Sequence, residues 1–429
     1  MNLKEALDSS YENFFTHAPN AKLILLHPDS KLRTVLMAKL MSDSKHRAIS
    51  YALSPDDVTM QRFVNSLTRH LADYFPLFGR HTYMLPQSIY ENAYASVDEI
   101  VQTFAQDLTE ITQDEFFLIL DEYDRSDRAD EVQIFVEKLS ANLPTNIRLV
   151  INSRTLPRLP WAAMIAHGRA TLLRDSELVM DNFYGIKNER GVNGIEISAL
   201  SRGDVIIQNR KIDGWEGHLP RLLFFFTLDR ALVTRSEICR SFWPGLDEDQ
   251  AVNVFHVTKR RLHKAMEYDA LVHDESYYHI NWELPLYYDI IEFSHMLLVG
   301  RTTTDATTRV KAWERAVEIH RAPFLYDHTE DWILQRRKEF KVGFAEAIRN
   351  LVVVYSDTKR EDEALMLLNK GINLDIHNED YHRDLMRLYA KLGRRSEIVS
   401  HYQRLSDIFR QQNHSFSDET HRLYQELVG

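Results

Sequence analysis

Asn253, His256, Val257, Arg260 and Lys264 recur at helical spacing, so at about 100° per residue they project from one side of a helix. Their groups are an amide, an imidazole, a small apolar patch, a guanidinium and an ammonium. Those are the groups that read donors, acceptors and methyls along base edges in a DNA major groove. Lys259 and Arg261 flank that face, where phosphates would run. The opposite side carries Ala251, Phe255, Thr258, Leu262, Ala265 and Met266, a stripe suited to burial against a small core. A basic helix face is most often simply solvated. The surrounding elements decide between the two readings.

Those elements fit a compact helical reader. Pro220 to Leu228 is an apolar run suited to a buried first helix. In the segment from Val233 to Gly245, Thr234 predicts an N-cap, with Glu237 completing a capping box. Pro244-Gly245 then stops the second helix, and Asp247 or Asp249 can cap the third. Downstream, Ala270-Leu-Val-His and Tyr277-Tyr-His-Ile-Asn alternate like strands around a tight Asp274-Glu-Ser276 turn. Two helices, a basic helix and a hairpin make the layout of a winged helix-turn-helix.

Residues 232–244 and 253–266, with Gly194-Ile-Glu-Ile-Ser, Asp204-Val-Ile-Ile-Gln-Asn-Arg and Trp215 before them, resemble the OmpR-type winged helix of bacterial transcriptional activators. The resemblance spans residues 192–291 and implies sequence-specific binding of double-stranded DNA. Asn253, Val257, Arg260 and Lys264 would lie nearest the bases, with His256 on the same face, and Lys259, Arg261, Arg235 and Ser236 would meet phosphates. Tyr277 and its neighbour Tyr278 offer hairpin rings for sugar or minor-groove contact, plain packing being the alternative.

At 429 residues the chain can form two to four domains, each burying its own core. The apolar fraction of 44% is ordinary for a soluble protein, and no apolar run approaches the length of a membrane span. Met1-Asn-Leu-Lys-Glu-Ala-Leu-Asp lacks the apolar core of a signal peptide, and the single cysteine, Cys239, excludes an internal disulfide or a cysteine-cluster metal site. These features point to the cytoplasm. The net charge of −11 argues against the whole chain wrapping nucleic acid, but not against one local basic surface doing so.

In the N-terminal third, strand-like runs at 21–28, 47–53, 115–122 and 146–154 alternate with helical segments, the pattern of a parallel α/β sheet. Phe116-Phe-Leu-Ile-Leu-Asp-Glu122 has the form of a Walker B strand: Asp121 would hold magnesium and Glu122 would activate water. After the next apolar strand, Asn152, Ser153 and Arg154 would approach a γ-phosphate. Residues 10–185 thus resemble the nucleotide-binding module of STAND, MalT-like ATPases. The phosphate loop does not match. His27 and Leu32 stand where glycines should cradle phosphate, Arg33 replaces the lysine, and only Thr34 survives. Pro28 removes a donor, Asp29 adds a negative charge, and a register using Lys31 still lacks the glycines. A degenerate site of Arg33, Thr34, Asp121, Glu122 and Arg154 is expected to serve as a non-hydrolysing scaffold or sensor. ATP with magnesium is the one cofactor its remnants would suit. The rival reading is a nucleotide-gated switch in which Asp121, Glu122 and Arg154 still act.

From Thr304 onward only helical periodicity appears. Tyr355 and Tyr389, Lys359 and Gly393, Ala364 and Ile398, and Leu368 and Tyr402 are each 34 apart, the tetratricopeptide (TPR) period. Ala322-Pro-Phe-Leu-Tyr326, Asp331-Trp332, Arg336-Arg337, the run from Asn378 to Tyr389, and Ser417-Asp-Glu-Thr-His-Arg-Leu-Tyr424 resemble the bacterial transcriptional activation domain. Ile376-His377 departs from that family's Asp-Pro-x-x-Glu stretch. The order of the segments is similar to SARP-type activators preceded by a STAND-like module. That resemblance implies recruitment of RNA polymerase and a homodimer on direct repeats.

The expectation is a multidomain protein. Residues 1–190 would form a P-loop-NTPase-like α/β module, 191–291 a winged helix, and 292–429 an all-α TPR-like domain. No catalytic nucleophile elbow and no helical His-x-x-x-His metal pair is present in the sequence. An adaptor that binds protein without DNA is the third reading.

Overall fold

The computed structural model describes residues 21–28, 30, 33–43, 45–111, 114–174, 177–178, 188–191, 193–281, 283–412 and 415–429, with 8, 11, 12, 14 and 15. Asp29, Lys31 and Leu32 of the degenerate phosphate loop lie outside these residues. The chain divides into two units. The first comprises residues 1–199 and 203–298, the second 200–202 and 299–429.

The first unit opens with an α/β layer. Its elements are β1 (Leu23–Leu26), α1 (Arg33–Ser42), β2 (Arg47–Ala52), α2 (Met60–Tyr74), α3 (Ala93–Ile111), β3 (Phe116–Asp121), α4 (Asp130–Asn142), β4 (Ile147–Asn152), α5 (Trp161–His167), β5 (Ala170–Arg174) and β6 (Glu177–Leu178). The sheet order is β2-β3-β4-β1-β5-β6; the first five strands are parallel and β6 runs antiparallel to β5. Parallel strands are covered on both faces and therefore read as continuous apolar runs. All four residues of β1 and the first five of β3 are buried. Alternation sorts their side chains. Phe117 and Ile119 pack with Leu36, Met37 and Leu40 of α1 on one face. On the other, Phe63, Phe104 and Phe135 of α2, α3 and α4 meet edge to face at 5.6–5.8 Å. β5 was not anticipated; it is a short run that follows a one-residue left-handed turn at Gly168.

The same unit continues with a four-stranded sheet in the order β13-β7-β8-β9, made of β7 (Ile195–Ser198), β8 (Asp204–Ile207), β9 (Arg210–Lys211) and β13 (Leu286–Tyr288). Between β9 and β13 come α6 (Leu219–Leu228), β10 (Val233–Thr234), α7 (Arg235–Phe242), α8 (Glu248–Met266), β11 (Leu271–Asp274) and β12 (Tyr277–Ile280). The last two strands pair with β10 into a small antiparallel sheet. Asp274 belongs to β11, so the hairpin turn is Glu275-Ser276, with Glu275 left-handed at φ 49°.

The second unit is helical. It continues from within α9 (Asp289–Thr302) through α10 (Ala306–Ile319), α11 (Asp331–Asp357), α12 (Glu361–Leu374), α13 (Glu379–Lys391), α14 (Arg395–Gln411) and α15 (Asp418–Val428). Lys359 and Gly393, 34 positions apart, both lie in the left-handed region just after a helix, at φ 59° and 71°. Ala364 and Ile398 are both fully buried. The activator-like motifs turn out to be joints. Arg337 donates to the Phe324, Leu325 and His328 carbonyls and so fixes the loop before α11. Glu379 accepts from the Ser417 amide and from the hydroxyls of Ser417 and Thr420, tying α13 to the start of α15. Among the described residues, no helix is long and apolar enough to cross a membrane.

Candidate nucleic-acid interface

α8 starts at Asp247, whose carboxylate accepts from the Gln250 amide at 2.9 Å. Its inner side buries Ala251, Phe255, Thr258, Leu262 and Met266; Ala265 is only half-buried, at the margin of the stripe. Phe255 meets Tyr278 of β12 edge to face at 4.9 Å, which holds the helix against the small sheet. The outer side presents Asn253, His256, Val257, Arg260, Arg261 and Lys264, all exposed, with Val257 45% exposed. Arg235 and Ser236 at the start of α7 are exposed as well.

The outer face is tuned by its neighbours. Burial, together with the positive charges of Arg235, Lys259 and Arg260, lowers the pKa of His256, so its ring is neutral near pH 7 and offers one donor and one acceptor. Lys259 is half-buried with its ammonium 5.2 Å from the centroid of the Tyr278 ring, and burial lowers its pKa too. Glu216, in the loop before α6, pairs with Lys264 and lies 3.8 Å from Arg261. Sequence reading missed Glu216, because it lies 48 positions before Lys264 and belongs to no periodic segment. The His263 ring meets Asp269 at 2.8 Å and accepts from the Leu271 amide at 3.4 Å.

The expected capping box is half right. The Thr234 hydroxyl accepts from the Glu237 amide at 3.0 Å, but the Glu237 carboxylate does not return the bond. It is taken by two guanidiniums, Arg158 at 2.9 Å and Arg230 at 3.1 Å. Arg158, 1% exposed, also pairs with Asp130 at 2.7 Å and donates to the Asp127 carbonyl at 2.8 Å. Arg230 pairs with Glu137 at 3.0 Å, and the Thr234 hydroxyl donates to Asp130 at 2.8 Å. This buried network joins the α/β layer to α7. Tyr277, register partner of Thr234, is half-buried with Arg158 5.7 Å from its ring centroid. The outward face of the hairpin thus looks toward the α/β layer, while α8 stays open.

Four of the five degenerate nucleotide residues, Arg33, Asp121, Glu122 and Arg154, are engaged internally. Arg33 donates to the Pro28 carbonyl at 3.0 Å and the Ser153 carbonyl at 2.5 Å, bridging the loops after β1 and β4, where an open α/β sheet would take a ligand. Thr34 is exposed on α1. Asp121 accepts from the Asn152 amide at 2.7 Å, Glu122 pairs with Arg125, and Arg154 forms a two-point pair with Asp124.

Residues 288–428 match the family model of the bacterial transcriptional activator domain. That is the C-terminal third of the chain. The match covers the segment in which the sequence resembles the bacterial transcriptional activation domain, and it supports a transcriptional regulator. No curated protein matches the chain. Among solved structures, Mycobacterium tuberculosis EmbR in complex with a low-affinity phosphopeptide is similar at 13% identity and a TM-score of 0.41, over 55% of this chain. The alignment covers 65% of the EmbR chain.

Proposed function

We propose that the chain is a sequence-specific DNA-binding transcription regulator in which residues 191–291 act as a winged helix and α8 enters the major groove. The observation that carries this reading is the two-sided character of α8. One stripe is buried, while the other exposes an amide, a neutral imidazole, a methyl-bearing patch and three cations. Arg260 suits bidentate contact with guanine, and Asn253 suits adenine. Lys259, Arg261, Arg235 and Ser236 flank that face and suit phosphate. The helical unit is read as a TPR-like activator domain that engages RNA polymerase, with a homodimer on direct repeats and a cytoplasmic location.

The α/β layer is read as a non-hydrolysing scaffold or sensor. Arg33 closing across the loops after β1 and β4, and the internal pairing of Asp121, Glu122 and Arg154, support this over the ATPase reading. The test is a quantitative mobility shift with promoter fragments. Arg260→Ala is expected to cost about 1–3 kcal/mol on the specific site and to relax discrimination there. An unchanged shift refutes the role given to Arg260. Turnover of labelled ATP abolished by Asp121→Ala would restore the ATPase reading.

A further inference from the structure

The β11–β12 hairpin packs beside α8, yet its residues are unsuited to nucleic acid. From Leu271 to Ile280 it carries no lysine, arginine, asparagine or glutamine, the side chains that neutralise phosphate and read the minor groove. Its turn sets Asp274 and Glu275 side by side and exposed, so a phosphate backbone approaching it meets like charge. Both of its tyrosine rings are occupied. Tyr278 is 5% exposed and meets Phe255 of α8. Tyr277 is half-buried, and its phenol is hydrogen-bonded to Arg128 of the loop after β3. What the hairpin does meet is the α/β layer. Asp274, Glu275 and Tyr277 line a cleft shared with Asp124, Asp127 and Thr155 of the loops after β3 and β4. Thr234, the register partner of Tyr277 on β10, donates to Asp130 at 2.8 Å, and the buried Arg158–Glu237 pair at 2.9 Å ties α7 to the same layer.

We infer that the hairpin is the docking element of the α/β layer and not a minor-groove arm, so that each chain reads DNA through the major groove alone. The inference rests on the reading of α8 as the DNA-facing helix. The cations suited to phosphate and bases are Arg235 on α7 with Lys259, Arg260, Arg261 and Lys264 on α8, and the hairpin adds none to them. A hairpin that swung free to reach a minor groove would give up the Tyr277 contacts with Arg128 and Arg158 and bring two carboxylates to the phosphates in exchange. Both changes disfavour that movement.

Tethered cleavage by the full chain, on a genomic fragment that it footprints, tests this. An iron–EDTA group is attached through Ser276→Cys at the hairpin turn or through Asp249→Cys, four residues before Asn253 on the outward side of α8; both positions are exposed. The wild-type chain, whose one cysteine is buried, sets the background. Strong cutting is expected from position 249, and none above background from 276. On the same complex, methylation of guanine N7 in the major groove should interfere with binding, and methylation of adenine N3 in the minor groove should not. Comparable cutting from the two positions, or interference at adenine N3, overturns the inference. So does loss of the footprint in the labelled Ser276→Cys chain when its thermal melt is unchanged. A footprint without cutting from 249 refutes the placement of α8, and absence of any footprint refutes DNA binding itself; the inference falls with either.

Discussion

Glu216 and Asp127 show what single residues do here that their local sequence does not announce. Glu216 occupies Lys264 and Arg261 at one end of the α8 face. Exposed pairs of this kind are screened by solvent and contribute little. Glu216→Gln is therefore expected to tighten DNA binding only two- to fivefold, by freeing two cations for phosphate or base contact. Weaker binding would show that the carboxylate helps to aim Lys264. Burial raises the pKa of Asp127. Its raised folded pKa, about 6 against 3.8, favours the folded state only while the group is protonated, and that contribution is lost as pH rises through about 6. Replacing it by Asn should raise stability at pH 7.5 by about 1 kcal/mol, and the gain should vanish below pH 4; urea melts at the two pH values check this. The exposed residues of α8 were legible from their spacing alone. Glu216 was not, and neither was the diversion of Glu237 to Arg158, since both pairings join segments remote in sequence.

At the level of elements, periodicity located most helices and four parallel strands, because two-sided burial and amphipathic burial leave distinct patterns. It missed β5, too short to stand out, and α9, whose apolar residues are distributed round the helix without a one-sided stripe. It did not reveal how α13 and α14 meet. His382 and His401 lie buried with ring nitrogens 2.9 Å apart, and burial lowers both pKa values, that of His401 to about 4. Such a group binds protons more readily unfolded, so stability present above about pH 6.5 is lost as pH falls toward 4. The helical unit should lose about 2 kcal/mol across that window, followed by helical ellipticity in urea, and His401→Leu should flatten the dependence. An unchanged slope would place the acid sensitivity elsewhere, for example at buried His320, whose pKa burial lowers to about 3.

Across the whole first unit, the decisive feature is the buried network of Arg158, Arg230, Asp130, Glu137 and Glu237. Removing one partner of such a network leaves the others charged and buried, a loss of about 3–5 kcal/mol. Arg158→Ala should therefore destabilise the first unit by that amount and speed hydrogen exchange in α4 and α7 together. Exchange confined to one of them would mean that the α/β layer and α7 are held by other contacts. The network also accounts for which face is left open: the hairpin's outward face is turned toward the α/β layer, and the exposed side of α8 is not. The most direct test is a footprint on genomic fragments carried through a salt series. A discrete protected segment is predicted, with affinity falling linearly in log[salt], the slope reduced by about one in Lys259→Ala, and the segment lost in Arg260→Ala. Protection that is absent, or indifferent to both substitutions, would contradict the account.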